Sequence, residues 1–362
     1  MPHVEVTSST GNTRFKYTIC TPTDAEATTI DPSLPTLLFI HPVSIAEHVF
    51  HAQFADPLLR CSNLVSFDLR GGHGDTSGDK VPPYYGQVEA AEDTIRLMDA
   101  LELPACHLVG MSTGTIIATQ LAVTYPDRVL SLFLVSHLCL EIPPEVADGH
   151  LEICELWTSA FPDASTVLED VVYEAGFGNS QYMFSTHQVS PLVTAMMKIT
   201  YPVAMEKWGY EHLDQFRIMN LDFHLRREPF SKTSLARIAG SVKIVHGTED
   251  VAYPQSYSRE FLRRLDEAGV DASMHVVRGA PHYLLPDFSN QINPVLYDFI
   301  LQNDDRLNNA PVPDHVQSPW TDVFKQASLE SEDSLFDDCI IIHPRRHHHR
   351  RNSLSSVTLC VA

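Results

Sequence analysis

Residues 108–124 read LVGMSTGTIIATQLAVT. Ser112 stands two residues from Gly110 and two from Gly114, at the junction of an apolar strand-type run and an apolar helix-type run. One reading is an ordinary turn. The other is a G-x-S-x-G turn, in which strand and helix approach so closely that only small residues fit beside the central one. Such a turn presents a serine hydroxyl beside a helix N-terminus, which favours developing negative charge.

A serine hydroxyl is a weak nucleophile. It needs a base, and the base needs a carboxylate to orient it. "VKIVHGTEDVAYP" puts Asp250 just beyond a buried strand, and "HVVRGAPHYLLPD" puts His282 just beyond the next. Taken singly, Asp250 is a candidate helix cap and His282 a candidate core histidine. Together with Ser112 they form the order Ser, Asp, His at three strand ends, where an open α/β sheet gathers its site residues.

The elements that must position these groups are legible as alternation. "FKYTIC", "TLLFIH", "LVSFD", "CHLVG", "VLSLFLVS", "VKIVHG" and "MHVV" are short apolar runs of the kind a doubly covered sheet uses. Between them, Val88, Ala91, Ile95 and Met98 share a helical face, and "PQSYSREFLRRLDEAG" opens on Pro254 and stops at Gly269. This predicts an α/β fold with a mostly parallel central sheet and helices on both faces. The alternation lapses between about His137 and Arg237, a helical stretch rich in Trp, Tyr, Phe and Met that includes Trp157, Phe161, Met196, Tyr201 and Trp208. It reads as an inserted helical cap, with an apolar pocket expected over the serine. The predicted organisation is a core of 1–136 and 238–302, a cap of 137–237, and a charged, disordered tail of 303–362.

Composition narrows the function. The chain has 362 residues, 44% of them hydrophobic, so a large core is available. The formal charge of -21 argues against nucleic acid or an anionic membrane as partner. Seven scattered cysteines without a CxxC pair (Cys20, Cys61, Cys106, Cys139, Cys154, Cys339 and Cys360) suggest reduced thiols and a cytoplasmic setting. The N-terminal stretch lacks a signal-type apolar region, no run is long enough to span a bilayer, and "LCVA" is not a prenylation box. No cofactor or metal is expected. No G-x-G-x-x-G turn opens a helix, and His347, His348 and His349 read as a solvated patch among arginines. Ser353, after Arg350 and Arg351, suits a basophilic kinase, and "FDDCIIIHP" is a candidate protein contact in the tail.

The motifs "FIHPVS", "FDLRGGHGDTSG", "VGMSTGT", "VHGTEDVAYP" and "GAPHYLLP" resemble those of α/β-hydrolase-fold proteins, the family of capped esterases, lactonases, epoxide hydrolases and C–C hydrolases. The resemblance covers about residues 14–302. It implies that Ser112, Asp250 and His282 form a catalytic triad. It also implies oxyanion-hole N–H groups from Met111, adjoining the nucleophile, and from Val43 in the loop after "FIH". Two departures stand out: Pro42 replaces the usual glycine after His41, and the "DLRGGHGDTS" loop is one residue longer than the usual pattern. The expected activity is hydrolysis of an apolar ester, lactone or thioester through an acyl-enzyme. C–C hydrolysis, acyl transfer and a small-molecule receptor that does not turn over are the alternatives.

Overall fold

The computed structural model describes residues 2–138, 141–184 and 189–329. The strands are β1 (His3–Ser8), β2 (Gly11–Cys20), β3 (Thr36–Ile40), β4 (Asn63–Phe67), β5 (Ser77–Gly78), β6 (Cys106–Met111), β7 (Val129–Val135), β8 (Val242–Gly247) and β9 (Ala272–Val277). Among the described residues they form one sheet in the order β1-β2-β4-β3-β6-β7-β8-β9, with β5 beside β2. The β1–β2, β2–β4 and β2–β5 pairs are antiparallel, and every pair from β4 to β9 is parallel. The central strands β3, β4 and β6 are buried along their whole length, as continuous apolar runs require.

The helices that interleave with these strands are α1 (His51–Phe54), α2 (Gln87–Ala100) and α3 (Thr113–Thr124). Between β7 and β8 lie α4 (Pro144–Ser159), α5 (Glu169–Phe184), α6 (Pro191–Lys207), α7 (Leu213–Arg217), α8 (Phe223–Leu225) and α9 (Lys232–Leu235). After them come α10 (Gln255–Glu267), α11 (Ser289–Asn303) and α12 (Thr321–Leu329). On α2 the predicted apolar face holds for Ala91, Ile95 and Met98, but Val88 is exposed and Ala90 takes its place in the core.

Trp157, Phe161, Trp208 and Phe216 pack with Cys154, Val172 and Leu221 into a small core of the segment's own. Met196, Met197 and Tyr201 on α6 join the core beneath the sheet. The aromatic and methionine content therefore mostly holds the insertion together. Trp157, Tyr201, Trp208 and Phe216 also line a small cavity beside Val43.

The predicted disordered tail from residue 303 is also corrected for its first part. Residues 304–329 include a 3₁₀ turn at Asp305–Asn309 and α12, and Leu307, Trp320, Phe324 and Ala327 are buried. The spacing of Trp320, Phe324 and Ala327 is one helical face. Trp320 packs on Phe54 at 4.9 Å and Phe324 on His51 at 4.4 Å. Charge and proline content outweigh these apolar positions when the segment is read by composition alone. Residues 330–362, with Cys339, Cys360, His347–His349, Ser353 and "FDDCIIIHP", lie outside the described residues, as does Cys139. Among the described residues no helix is long and apolar enough to cross a membrane.

Candidate active site

Ser112 links the end of β6 to the start of α3 with φ 52° and ψ -115°, a left-handed backbone that side-chain-bearing residues rarely adopt. The flanking glycines are required by contact. A Cβ on Gly110 would lie 2.5 Å from the Gly114 carbonyl oxygen, and a Cβ on Gly114 would overlap the Ile40 carbonyl oxygen. The turn is pinned by hydrogen bonds on both sides of the serine. Its N–H donates to the Val135 carbonyl at 2.9 Å, and its own carbonyl accepts from the Thr115 N–H at 2.8 Å and the Thr115 hydroxyl at 2.6 Å.

Asp250 follows β8 and His282 follows β9, and the structure brings both to Ser112. Ser112 Oγ lies 2.9 Å from His282 Nε2, and His282 Nδ1 lies 2.7 Å from Asp250 Oδ2. The other oxygen, Asp250 Oδ1, accepts the backbone N–H groups of Ala252 and Tyr253, each at 2.9 Å. Asp250 therefore stays an acceptor, Nδ1 carries the imidazole proton, and Nε2 is left to accept from the serine. The Ser136 hydroxyl donates to the His282 carbonyl at 2.5 Å, and the Tyr253 ring stacks on the imidazole at 5.6 Å. The side chains of Ser112, Asp250 and His282 are all fully buried.

The oxyanion expectation divides. Val43 N–H faces the site and donates to Thr113 Oγ1 at 3.3 Å. Pro42 does not remove this donor. It places its carbonyl 2.7 Å from His41 Nδ1, while His41 Nε2 accepts the Leu69 N–H at 2.8 Å. Burial holds His41 neutral, at about 3. The loop is thus braced through both nitrogens of one imidazole. Met111 is corrected: it precedes Ser112 and belongs to β6, whereas the residue after the serine, at the first position of α3, is Thr113. The first N–H groups of a helix have no acceptor within it, so the Thr113 amide is the available donor. The extra residue of the "DLRGGHGDTS" loop has a packing explanation. The loop winds around the Asp68 carboxylate, which accepts the Glu47 and Asp75 N–H groups, and His73 packs between His41 and Trp208.

Several groups near the serine are invisible to motif reading because the helical insertion delivers them. Tyr182 on α5 holds its hydroxyl 3.4 Å from His282 Nε2. His150 on α4 meets the Tyr182 ring at 4.9 Å and stacks on His224 of α8 at 5.0 Å. Burial pushes His150 down to about 4 and His224 well below the usual histidine range. Tyr283, one residue past His282, donates to the Val43 carbonyl at 2.8 Å. Only the repeated His and Tyr content of residues 137–237 could have hinted at His150, Tyr182 and His224, whereas Tyr283 lies within the His282 motif. A cavity of about 30 Å³ lies between Val43, His150, Asn220 and Trp208. A wider one of about 330 Å³, lined by Lys16, His48, Asp68, His73 and Lys207, adjoins it through Ser44, Thr200, Ala204 and Trp208. Trp208 Nε1 donates to the Gly71 carbonyl at 2.9 Å, and Trp208 lines both cavities.

Among the described cysteines, burial raises Cys20 and Cys106 to about 12 and Cys61 to about 11. Those thiols are not competing nucleophiles, since the thiolate is the reactive form.

Comparison with known proteins agrees with this fold. Residues 35–153 match the family model described as alpha/beta hydrolase fold. The chain is 37% identical over 73 residues to a putative carbamate hydrolase, RutD, of Caulobacter vibrioides, covering 20% of this chain and 26% of that protein. It is 29% identical over 116 residues to the rhodomycin D methylesterase DauP of a Streptomyces species, covering 31% and 38%. These matches span well under half the length of the curated relatives. A thermophilic esterase from Thermogutta terrifontis superposes with a TM-score of 0.63 at 16% identity, over 83% of this chain and 99% of that one. The mostly parallel sheet and these likenesses together show that the chain has the α/β-hydrolase fold.

Proposed function

We propose that this chain is a serine hydrolase that cleaves an ester, lactone or thioester through an acyl-enzyme. The observation that carries this reading is the unbroken hydrogen-bonded chain from Ser112 through His282 to Asp250, with the serine held on a left-handed turn. His282 Nε2 takes the hydroxyl proton as Ser112 Oγ attacks the carbonyl carbon. Asp250 keeps the imidazole in the required tautomer and stabilises the imidazolium. The carbonyl oxygen becomes an oxyanion between the Val43 and Thr113 amides. The 3.3 Å contact of Val43 N–H with Thr113 Oγ1 is long, so the amide is readily released to a stronger acceptor. As the carbon–oxygen or carbon–sulfur bond breaks, His282 returns the proton to the leaving group. Water then attacks the acyl-serine with His282 again as base, releasing the acid and restoring the serine.

In this reading residues 137–237 act as a cap. Ser112 is fully buried, and the cavity beside Val43 is small, about 30 Å³. Substrate therefore reaches the serine only after the cap shifts, and the wider cavity behind Trp208 is the natural approach. The test is release of p-nitrophenol from short and medium acyl esters by the intact chain and by Ser112→Ala. Turnover that vanishes in the variant supports the proposal. Equal turnover in both would refute it.

A further inference from the structure

The polar side chains of the triad are all partnered, but several contributed by the helical insertion are not. His224 is fully buried, and neither of its ring nitrogens has a hydrogen-bond partner. His150 Nε2 is likewise buried without one, and so is Arg227 Nε. The three groups belong together. The two imidazoles stack at 5.0 Å with planes 17° apart, and His150 reaches His282 through the single ring of Tyr182. The Arg227 guanidinium lies 5.7 Å from the Tyr253 ring centroid, and Tyr253 in turn stacks on His282. Its terminal nitrogens donate to the carbonyls of His224 and Leu138, which ties it to the same corner. Asp222, close by in sequence, faces Arg217 and Arg226 instead.

Stacking alone does not account for imidazole at these positions. A phenyl ring would stack as well without leaving nitrogen atoms dry, and buried polar atoms in folded proteins are normally satisfied. The unmet capacity is nitrogen throughout, with no carboxylate in the set, and one member is a permanent cation. The complementary group is an anionic oxygen acceptor. We infer that His150, His224 and Arg227 form a carboxylate subsite, so that the substrate is an ester or thioester whose far end is a free carboxylate. This rests on the serine-hydrolase reading, which it narrows from a general ester to a half-ester of a dicarboxylic acid. Burial favours the neutral form of both histidines, and an incoming carboxylate supplies the charge that would draw them toward protonation.

The experiment compares mono(p-nitrophenyl) adipate with its methyl-capped diester. The expected result is a kcat/KM at least tenfold higher for the free acid, expressed in KM. His224→Phe, which keeps the stack, and Arg227→Gln should each abolish that preference while leaving turnover of the capped diester within about threefold. A capped diester that serves the wild-type chain equally well, or a preference that survives both substitutions, overturns the subsite. A second measurement separates this from failure of the hydrolase reading. Calorimetry on Ser112→Ala with monomethyl adipate and dimethyl adipate reads binding without chemistry. Tighter binding of the acid that His224→Phe removes supports the subsite whether or not Ser112 is a nucleophile. Indifference to the carboxylate in that assay refutes it.

Discussion

The sheet edge and the helical insertion meet at Ser112, and they treat their polar groups in opposite ways. At the sheet edge the triad and the His41 brace are fully paired. Asp250 accepts three hydrogen bonds, His282 uses both ring nitrogens, and His41 braces the Val43 loop with both of its own. In the insertion, His224 and one nitrogen of His150 are buried and unpaired. The contrast teaches a division of labour. A fully satisfied network is rigid and pre-organised for one reaction. A buried, unsatisfied cluster is a place where a ligand can complete the structure.

The largest expected effect lies on the sheet side. Ser112→Ala should lower kcat by at least about a thousandfold while the melting temperature holds, because the small side chain is buried beside unaltered neighbours. Steady-state kinetics with calorimetric melting checks this; a modest loss of activity would erase the distinction between the two regions. Asp250→Asn should cost about ten-thousandfold in kcat when measured the same way, since an amide can donate to Nδ1 and so favour the wrong tautomer. Val43→Pro removes one oxyanion donor and should lower kcat by roughly a hundredfold to a thousandfold, with KM little changed. An unaffected kcat would shift the oxyanion site away from the loop after His41.

The same contrast appears in stability. Burial holds His41, His73 and His137 at about 3 and His150 at about 4. The unfolded chain takes up these protons near pH 6.5, whereas the folded chain does not until pH 3–4. Stability therefore falls as pH drops below about 6.5, by about 1.4 kcal/mol per pH unit for each such histidine. Glu47 and Asp93, raised by burial, act in the opposite sense, but they are fewer. Denaturant midpoints at pH 7 and pH 5 test this, with the lower midpoint expected at pH 5. The smallest effect discriminates most finely. His41→Phe leaves the Leu69 N–H and Pro42 carbonyl without partners and should destabilise by about 1–3 kcal/mol. His224→Phe removes two buried unpaired nitrogens and should leave stability unchanged or raise it by about 1 kcal/mol. Equal losses would mean that the insertion's histidines are structural after all.

What the sequence disclosed follows the same line. Ser112, Asp250 and His282 are legible because each sits at a strand end inside a local pattern, and the sheet order converts those ends into neighbours. Gly110 and Gly114 are legible for a steric reason that the Ile40 and Gly114 carbonyls make explicit. His150, Tyr182 and His224 come from three helices with no shared motif, and only tertiary packing assembles them. The aromatic content of residues 137–237 mostly serves a core, with Trp157, Trp208 and Phe216 also lining a small cavity, because periodicity reports that a face is buried and not what it is buried against. Trp320 and Phe324 were obscured by the polar, proline-bearing residues around them. Thr113 needed only the direction of the chain: the helix begins after the serine, so its first free amide lies on that side.

The central claim is that Ser112 is an activated nucleophile, and covalent labelling tests it most directly. The intact chain would be treated with a fluorophosphonate and the modified peptide identified by mass spectrometry. The account predicts a single adduct on Ser112 that is absent from Ser112→Ala and forms far more slowly in Asp250→Asn. A folded chain that stays unlabelled, or an adduct that persists in Ser112→Ala, would contradict it.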